Sequence, residues 1–559
     1  MKKLLFAITV TLWGASPLLA ADTTPSAPIS PDTVPRTAET PAQHDARMAW
    51  WREAKFGMFI HWGLYCIPAD GEWHMRQHKE SLSDYSKLAN EFNPTKFNAD
   101  EWAALAQDAG MKYLILTTKH HDGFAMFHSK VSAYNIYDAT PFKRDPLKEL
   151  SEACPRHDLK LGTYYSVIAD WGHPGGGAGC PKWDPAQEGS LDDYINNVSI
   201  PQVRELLTNY GPIAVMWFDT DGSNVGSEER AARYEPVLAL QPNIIIDPRL
   251  QHFPGDFQTA EGRVPLLAPK GDWELCTRTN GSWGYTSAPA RTLADLLGQL
   301  TDAWGKGGNV LLNVGPTREG IIPPDSAECL REVGAWLKTN GEAIYGSEAG
   351  PFTYLPWGTC TRKGDHLYLI VLAWPTDGKL PVPISTPVTD AHLLADPGKL
   401  LKTHLINGKT IIDLPAKAPD ATASVIALKV AGQITPYHSL LLDKPVVASE
   451  DQKDASHAVD DDSASAWRIP SASGSLQVDM GKPETFSVLR YSTPYTTVAK
   501  AVLEVQVGNE WKTVYSEHNP KGIEFVRTFP PVTGQVVRLT ITADKPAMRI
   551  GDFELFPPL

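Results

Sequence analysis

Six short segments of this 559-residue chain are apolar almost throughout, and amphipathic helical patterns separate them. In chain order they are KFGMFIHWG, KYLILTTKHHDG, KLGTYYSV, IAVMWFDT, NIIIDPR and GNVLLNVGP. Strands that are apolar on both faces are typical of parallel sheets covered by helices. A repeated strand–helix unit predicts the α/β class, here as a TIM-like (β/α) barrel. A doubly wound sheet is the alternative, but no G-x-G-x-x-G motif follows the first strand.

The first 21 residues have the composition of a secretory signal peptide. Lys2 and Lys3 supply the positive charge, an apolar stretch follows, and the small residues Ala20 and Ala21 end it. Residues 22–42 are rich in proline, threonine and serine and predict a disordered linker. We therefore expect an exported protein, periplasmic or extracellular. No later apolar run reaches the length of about 18 residues that a transmembrane helix needs.

Three segments with different patterns follow the linker and predict three domains. Strand and helix patterns alternate over residues 43–345, the predicted barrel. Helical patterns are missing from residues 346–433, where runs such as HLYLIVLAW and ASVIALKV predict a β-sandwich. Residues 437–559 form a second all-β segment with its own set of short alternating runs.

Composition narrows the range of partners. A formal net charge of −14 argues against nucleic acid and against an anionic membrane surface. Many of the 17 tryptophans stand beside polar residues, which suits a carbohydrate whose C–H faces stack on rings, although a core role is the alternative. The 6 cysteines include no C-x-x-C pair, so a zinc ribbon or redox motif is not expected. Disulfide pairing and oligomeric state stay open.

Polar side chains stand where the predicted strands end: His61, His120, Tyr164, Asp219 and Arg249. In a barrel, the carboxyl ends of the strands meet at the face where active sites are built. We therefore expect these side chains to share one site.

Three carboxylates are the strongest candidates for catalytic residues. Asp219 ends the apolar strand VMWFD, which would hold a nucleophile or base on a rigid element. Glu261 and Glu274 stand on what we interpret as loops after later strands. Glycoside hydrolysis needs such a pair of carboxylates on either side of one bond. Glu72 and Trp73, after the first strand, could add a hydroxyl acceptor and an aromatic face.

The run KHHDGF, Lys119 to Phe124, allows three interpretations: a metal site, a proton relay or a set of hydrogen-bond donors to a polar ligand. A metal-dependent hydrolase would use His61, His120, His121 and Asp219. No H-E-x-x-H or comparable ligand spacing supports that hypothesis. We expect His120 and His121 to hold ligand hydroxyls, with their other ring nitrogens fixed by neighbours, and Asp122 with Gly123 to shape the turn.

The barrel segment resembles the α-L-fucosidases of glycoside hydrolase family 29. The motifs that carry the resemblance occur in the family's order: AKFGMFIHWGLY, GEW, KYLILTTKHHDGF, PFKRDPLKEL, GTYYS, MWFD, SWGY and GGNVLLNVGP. The resemblance implies an exo-acting retaining enzyme that removes terminal α-L-fucose from fucosylated glycans, with no cofactor for catalysis. A fucose-binding protein without catalytic activity is a further alternative. The fucosyl linkage that is cleaved stays open.

The same resemblance assigns roles to individual residues. Asp219 matches the family's nucleophile. Glu261 looks like the general acid/base of some members, and Glu274 is the alternative. The fucose-pocket positions are matched by Phe59, His61, Glu72, Trp73, His120, His121, Tyr164, Trp217, Arg249 and Trp283.

The last segment resembles a discoidin-like carbohydrate-binding module of the F5/8 type C, family 32 kind. The motifs AVDDDSASAW, LQVDMG, NEWKTV, VVRLTI and IGDFELF carry this resemblance. Because they are scaffold features, they leave sugar binding open. The acidic loop at Asp460–Asp462 could hold a structural Ca²⁺, which prefers oxygen ligands, or be a solvated turn.

Overall fold

The structure is a computed structural model that describes residues 39–177, 180–220, 227–250, 252–253 and 255–559. The predicted signal peptide and most of the predicted linker lie outside these residues. Among the described residues, no helix is long and apolar enough to cross a membrane.

Eight parallel strands form a curled, barrel-like sheet in the order β5-β4-β3-β2-β1-β8-β7-β6. Their bounds are β1 Phe56–Ile60, β2 Tyr113–Lys119, β3 Lys160–Ser166, β4 Val215–Asp219, β5 Ile245–Ile246, β6 Gln258–Glu261, β7 Trp273–Arg278 and β8 Asn309–Val314. Burial on both faces explains why six of these strands were visible in the sequence as apolar runs.

Two strands correct the sequence interpretation, which placed Glu261 and Glu274 on loops. Glu261 is the last residue of β6 and Glu274 is the second residue of β7. Strand β6 has the polar sequence QTAE and is partly exposed, so it has no apolar signature. Strand β7 carries its glutamate inside the barrel, which breaks the apolar run.

Helices cover the outside of the sheet between the strands. Their bounds are α1 Pro41–Ala54, α2 His74–His78, α3 Leu82–Tyr85, α4 Ala99–Asp108, α5 Pro146–Arg156, α6 Leu191–Tyr194, α7 Ile200–Asn209, α8 Glu228–Ala232, α9 Glu235–Leu238, α10 Leu293–Gly305 and α11 Pro324–Asn340. The Asn98 side chain accepts the backbone N–H groups of Asp100 and Glu101, and Asp145 caps α5 ahead of Pro146. These start signals explain where α4 and α5 begin.

The barrel has a seam between β5 and β6, which do not pair as strands. Asp256 closes the seam: its N–H donates to the Ile246 carbonyl, and its carboxylate accepts the Ile246 N–H, both at 2.7 Å. Arg47 of α1 donates to the same carboxylate at 2.7 Å and to the Ile244 carbonyl at 3.2 Å. Both side chains of this ion pair are buried, at 4% and 6% exposure.

The rest of the chain is antiparallel β-structure. One region contains β9 Glu348–Ala349, β10 Gly358–Lys363, β11 His366–Val371, β12 Lys379–Val382, β13 Val388–Leu393, β14 Asp396–Leu400, β15 Thr403–Ile406, β16 Lys409–Asp413 and β17 Ser424–Val430. The other contains β18 Val446–Ala448, β19 Trp467–Ile469, β20 Ser473–Ser492, β21 Val498–Val507, β22 Glu510–His518, β23 Glu524–Ala543, β24 Met548–Ile550 and β25 Asp552–Phe556. The predicted fold class, a TIM-like barrel followed by β-sandwich structure, is confirmed.

Candidate active site

A cavity of about 540 Å³ opens where the carboxyl ends of the barrel strands meet. Every site residue predicted from the sequence lines this cavity, except Glu72 and Glu274. Its lining residues are Phe59, His61, Trp73, His120, His121, Tyr164, Trp217, Asp219, Thr220, Pro248, Arg249, Glu261, Cys276 and Trp283.

Asp219 is tightly held at the end of β4. Tyr164 donates its hydroxyl to Oδ2 at 2.9 Å, Arg249 Nη1 donates to Oδ1 at 3.2 Å, and the Thr220 N–H donates to Oδ1 at 2.9 Å. Burial alone would raise the pKa of Asp219, but the charges of Arg249 and His121 and the Tyr164 hydroxyl outweigh burial and lower it. Asp219 is therefore an ionised, oriented carboxylate at neutral pH.

Glu261 lies on the same cavity, at the end of β6. Arg249 Nη2 donates to its Oε2 at 2.7 Å, so a single guanidinium bridges Glu261 and Asp219. The guanidinium also lies over the Trp217 ring, 4.5 Å from its centroid. The side chain of Glu261 is 46% exposed, whereas that of Asp219 is 14% exposed. One carboxylate thus lies deep in the site and the other lies nearer its opening.

Glu274 lies beneath the cavity. Strand register pairs Glu261 with Cys276, and Glu274 precedes Cys276 by two residues on the same face of β7, or about 6.6 Å deeper. Tyr113 donates its hydroxyl to Glu274 at 2.6 Å, and the Trp217 indole N–H donates at 3.3 Å. Burial raises the pKa of Glu274 to about 7. Because its oxygens face the barrel interior, this glutamate is poorly placed to reach a ligand in the cavity.

His61 is held by an amide at the end of β8. Its Nδ1 lies 2.7 Å from the Asn313 Oδ1, and Asn313 donates its own N–H to the Trp283 carbonyl at 2.7 Å. Burial lowers the pKa of His61 to about 3, so its ring is neutral. With the hydrogen on Nδ1, the Nε2 atom is an acceptor. His61 can therefore accept a hydrogen bond from a ligand hydroxyl.

The two histidines of KHHDGF both line the cavity but differ in their supports. His121 Nδ1 lies 2.6 Å from the Ser166 hydroxyl, and its Nε2 lies 3.7 Å from Asp219. The ring of His120 stacks on Tyr164, with centroids 5.5 Å apart. Burial lowers the pKa of His120 well below its usual value, and among the described residues its buried Nδ1 has no hydrogen-bond partner. We expected a neighbouring residue to fix the second ring nitrogen of each histidine. Such a partner is present for His121, and among the described residues none is present for His120.

The turn after these histidines has the structure expected from Asp122 and Gly123. Asp122 accepts the Phe124 N–H at 3.2 Å and the Tyr85 hydroxyl at 3.0 Å. Gly123 has a φ of +75°, and a Cβ atom there would lie 2.3 Å from Asp170. Only glycine fits this turn without strain.

Glu72 contacts protein rather than the cavity. Its carboxylate accepts the Gly284 N–H at 2.8 Å and the Ser282 hydroxyl at 3.3 Å. These bonds fix the loop that carries Trp283, while the next residue, Trp73, lines the cavity. In this structure Glu72 therefore positions the aromatic wall.

The hypothesis of a metal-dependent hydrolase requires cavity residues that converge on one ion. In the part of the chain that the structure describes, a single group of three brings ligand atoms within 4.8 Å of one another, and it is Asp70, His74 and His78. None of these three lines the cavity. The geometry gives the metal-dependent hypothesis no support.

The acidic loop of the last domain uses its carboxylates for protein contacts. Asp460 accepts the Ser465 hydroxyl at 2.9 Å, and Asp462 accepts Lys270 at 2.7 Å. As placed, these residues do not fit a common ion. Calcium binding there stays a prediction, to be checked by elemental analysis.

Sequence reasoning missed Thr220, Pro248, Cys276 and Asn313. Asn313 had a signal, since it is the polar residue of LLNV near the carboxyl end of a predicted strand. Cys276 had none, because the strand that carries it was not predicted.

The cavity has an ionised carboxylate on a strand end, a second carboxylate opposite it and a wall of aromatic rings. These features define a site of the glycoside hydrolase class. Comparison with known proteins gives the family. Residues 29–342, more than half of the chain, match the family model described as alpha-L-fucosidase, and residues 445–553 match the F5/8 type C domain. The chain belongs to the α-L-fucosidase family, and the prediction that it is an enzyme of that kind is confirmed.

Relatives and solved structures agree with this assignment. Human tissue alpha-L-fucosidase is 31% identical over 422 residues, covering 69% of this chain and 89% of that protein. An alpha-L-fucosidase isoenzyme 1 from Paenibacillus thiaminolyticus is 34% identical with a TM-score of 0.65, covering 70% of this chain and 100% of that one. An alpha-L-fucosidase from Vibrio sp. strain EJY3 is 26% identical with a TM-score of 0.71, covering 90% of this chain and 98% of that one.

Proposed function

We propose that this protein removes terminal α-L-fucose from fucosylated glycans by double displacement, with Asp219 as nucleophile and Glu261 as general acid/base. The observation that carries the proposal is the guanidinium of Arg249, which contacts Asp219 at 3.2 Å and Glu261 at 2.7 Å. The two carboxylates therefore lie within reach of one glycosidic bond. Support also comes from a related GH29 alpha-L-fucosidase from Bacteroides thetaiotaomicron, which has been solved as a trapped covalent intermediate.

In the first step, an Asp219 oxygen attacks the anomeric carbon, and the bond from that carbon to the leaving oxygen breaks. Glu261 gives its proton to the leaving oxygen. In the second step, Glu261 takes a proton from water, the water oxygen attacks the anomeric carbon, and Asp219 is released as a carboxylate.

The contacts of each carboxylate suit its role. Tyr164 and Arg249 keep Asp219 ionised and direct one of its oxygens, as a nucleophile requires. Glu261 is more exposed, which suits a position beside the leaving group near the cavity opening. Its ion pair with Arg249 must open before it can carry a proton. After Asp219 becomes an ester it has no charge, so Arg249 is then free to contact Glu261 alone.

The rest of the cavity suits a 6-deoxy sugar. His61 and His120 are neutral, because burial lowers the pKa of both. The Nε2 atom of His61 can accept a hydrogen bond from a sugar hydroxyl, since its Nδ1–H is already bonded to Asn313. The rings of Phe59, Trp217 and Trp283 supply apolar surface for the C–H face and the methyl group.

The test uses an aryl α-L-fucoside with Asp219→Gly, Glu261→Ala and Glu274→Ala. We expect Asp219→Gly to lose at least about 10³-fold in kcat and to form an inverted fucosyl azide when azide is added. Azide should rescue Glu261→Ala with a product of retained configuration. Rescue of Glu274→Ala instead of Glu261→Ala would reverse the acid/base assignment. A wild-type protein that binds fucose without turnover would establish the binding-protein alternative.

We also propose that the first 21 residues direct export. Their pattern of two lysines, an apolar stretch and small residues supports the proposal. The mature N-terminus, determined from protein secreted by the native host, should lie near Ala21. An unprocessed Met1 on the mature protein would contradict it.

A further inference from the structure

We propose that Asp70, His74 and His78 form a Zn²⁺ site on the loop that leads from β1 to α2, outside the catalytic cavity. One ligand atom from each of the three residues lies within 4.8 Å of the other two. His74 and His78 are one helical turn apart on α2, so both rings lie on the same side of that helix, with centroids 4.4 Å apart.

The spacing of the ligand atoms already suits one ion. Asp70 Oδ2 lies 3.2 Å from His74 Nδ1 and 2.9 Å from His78 Nε2. Zinc binds imidazole nitrogen and carboxylate oxygen at about 2.0–2.2 Å, so two ligands of one ion are roughly 3.0–3.4 Å apart at octahedral or tetrahedral angles. Little movement of these side chains is needed to place an ion between them.

His74 is the residue that points most directly to a metal. It has a carboxylate at each ring nitrogen, since its Nδ1 lies 3.2 Å from Asp70 and its Nε2 lies 3.3 Å from Glu80. A cation at Nδ1 leaves the hydrogen on Nε2 for Glu80. Zinc-bound histidines commonly have this arrangement, in which the second nitrogen donates to a carboxylate.

Charge and access favour a divalent ion. The carboxylates of Asp70 and Glu80 lie beside the imidazole rings and supply negative charge that attracts a cation. The side chains of Asp70 and His78 are 54% and 52% exposed, which leaves coordination positions open to water. Arg76, on the same helix, is directed elsewhere: its guanidinium lies over the Trp73 and Trp171 rings.

The position of the site implies a structural role. Asp70 forms a backbone bridge to Thr286 on the loop after β7, and α2 begins directly after Trp73, which lines the cavity. An ion shared by Asp70, His74 and His78 would tie this loop to α2 and hold the Trp73 side of the cavity. The proposal does not depend on which glutamate is the acid/base.

The test is isothermal titration of the full-length, EDTA-treated protein with ZnCl₂ near pH 7.5. We expect one Zn²⁺ per chain with a dissociation constant in the micromolar range and a higher melting temperature with zinc. His78→Gln should weaken binding at least tenfold, and Glu80→Gln should weaken it about 10–100-fold while leaving all three ligands in place. With Co²⁺, the visible absorption of a histidine-ligated ion should appear in the wild type.

His404→Gln is the matched control, because His404 is another exposed histidine beside an aspartate, 3.1 Å from Asp413, without a second imidazole. Its zinc binding should equal that of the wild type. Absence of saturable binding at millimolar ZnCl₂ would overturn the proposal. Binding that His78→Gln leaves unchanged would overturn it as well, and the cluster would then be a hydrogen-bonded group that holds no ion.

Discussion

The two sides of the barrel are held together in different ways. On one side, β1 and β8 are joined over five residue pairs and β2 and β3 over six. On the other side, β4 and β5 share two pairs, and β5 does not pair with β6. Side chains replace the missing backbone ladder at this seam, chiefly the buried pair of Arg47 and Asp256.

The proposed catalytic carboxylates lie on the seam side. Asp219 ends β4, Arg249 follows β5 and Glu261 ends β6. The histidines proposed to hold the sugar follow β1 and β2, on the side with continuous ladders. In our proposal the side with continuous ladders holds the sugar. Asp219 and Glu261 lie on either side of the seam, and the Arg249 guanidinium contacts both of them.

The largest expected effect is the difference in activity between substitutions of Glu261 and Glu274, the glutamates of the two strands that follow the seam. Glu261→Gln should lower kcat/KM by about 10²–10⁴-fold on fucosides with poor leaving groups, because it removes the proton donor. Glu274→Gln keeps the shape of the side chain beneath Trp217 and should lower kcat/KM by less than about tenfold. Steady-state kinetics on two leaving groups of different pKa measures both. Equal losses in the two variants would contradict the placement of Glu274 outside the reaction.

The seam can be weakened through Arg47. Arg47→Met leaves the Asp256 carboxylate buried without its cation, which should lower the free energy of unfolding by about 3–5 kcal/mol. Arg52→Met on the same helix is the control, since the side chain of Arg52 is 38% exposed in its pair with Asp272. The control substitution should lower the free energy of unfolding by less than about 1 kcal/mol. Urea denaturation measures both, and similar losses would show that the seam does not depend on Arg47.

The buried Glu274 makes stability depend on pH. Burial raises its pKa to about 7 in the folded protein from the ordinary value of 4.5, so the folded state binds the extra proton between these values. The free energy of unfolding should therefore fall as pH rises from 4.5 to 7, by up to about 3 kcal/mol from this group. Glu274→Gln should remove that part of the slope. Parallel pH profiles of unfolding for the wild type and Glu274→Gln would contradict the expectation.

The smallest expected effect tests the side with continuous ladders. Ser166→Ala removes the hydroxyl that lies 2.6 Å from His121 Nδ1, and should raise KM and lower kcat/KM about fivefold as the ring loses its orientation. Ser326→Ala is the control, because Ser326 is also buried but bonds to Thr279 away from the cavity. A loss in the control equal to that in Ser166→Ala would indicate a general packing effect.

The sequence predicted six strands of the barrel and missed the two that follow the seam. Strands β1 to β5 and β8 are buried on both faces over most of their length, so each of them appears in the sequence as an apolar run. Strand β6 is short, polar and partly exposed, and β7 carries a buried glutamate, so neither was recognised. The residues of those strands were consequently placed on loops, and two candidates for the acid/base could not be separated.

The sequence alone determined six of the eight barrel strands, the carboxylate at the end of β4 and the family, because these depend on local pattern and specific motifs. Tertiary structure decided what each polar side chain contacts. Register along β7 puts Glu274 about two residues below Glu261, and folding turns Glu72 toward Gly284 instead of the cavity. A spacing along the chain fixes which face a side chain occupies. Depth in the barrel and choice of partner depend on contacts between residues far apart in sequence, such as Arg249 with Asp219 and Glu261.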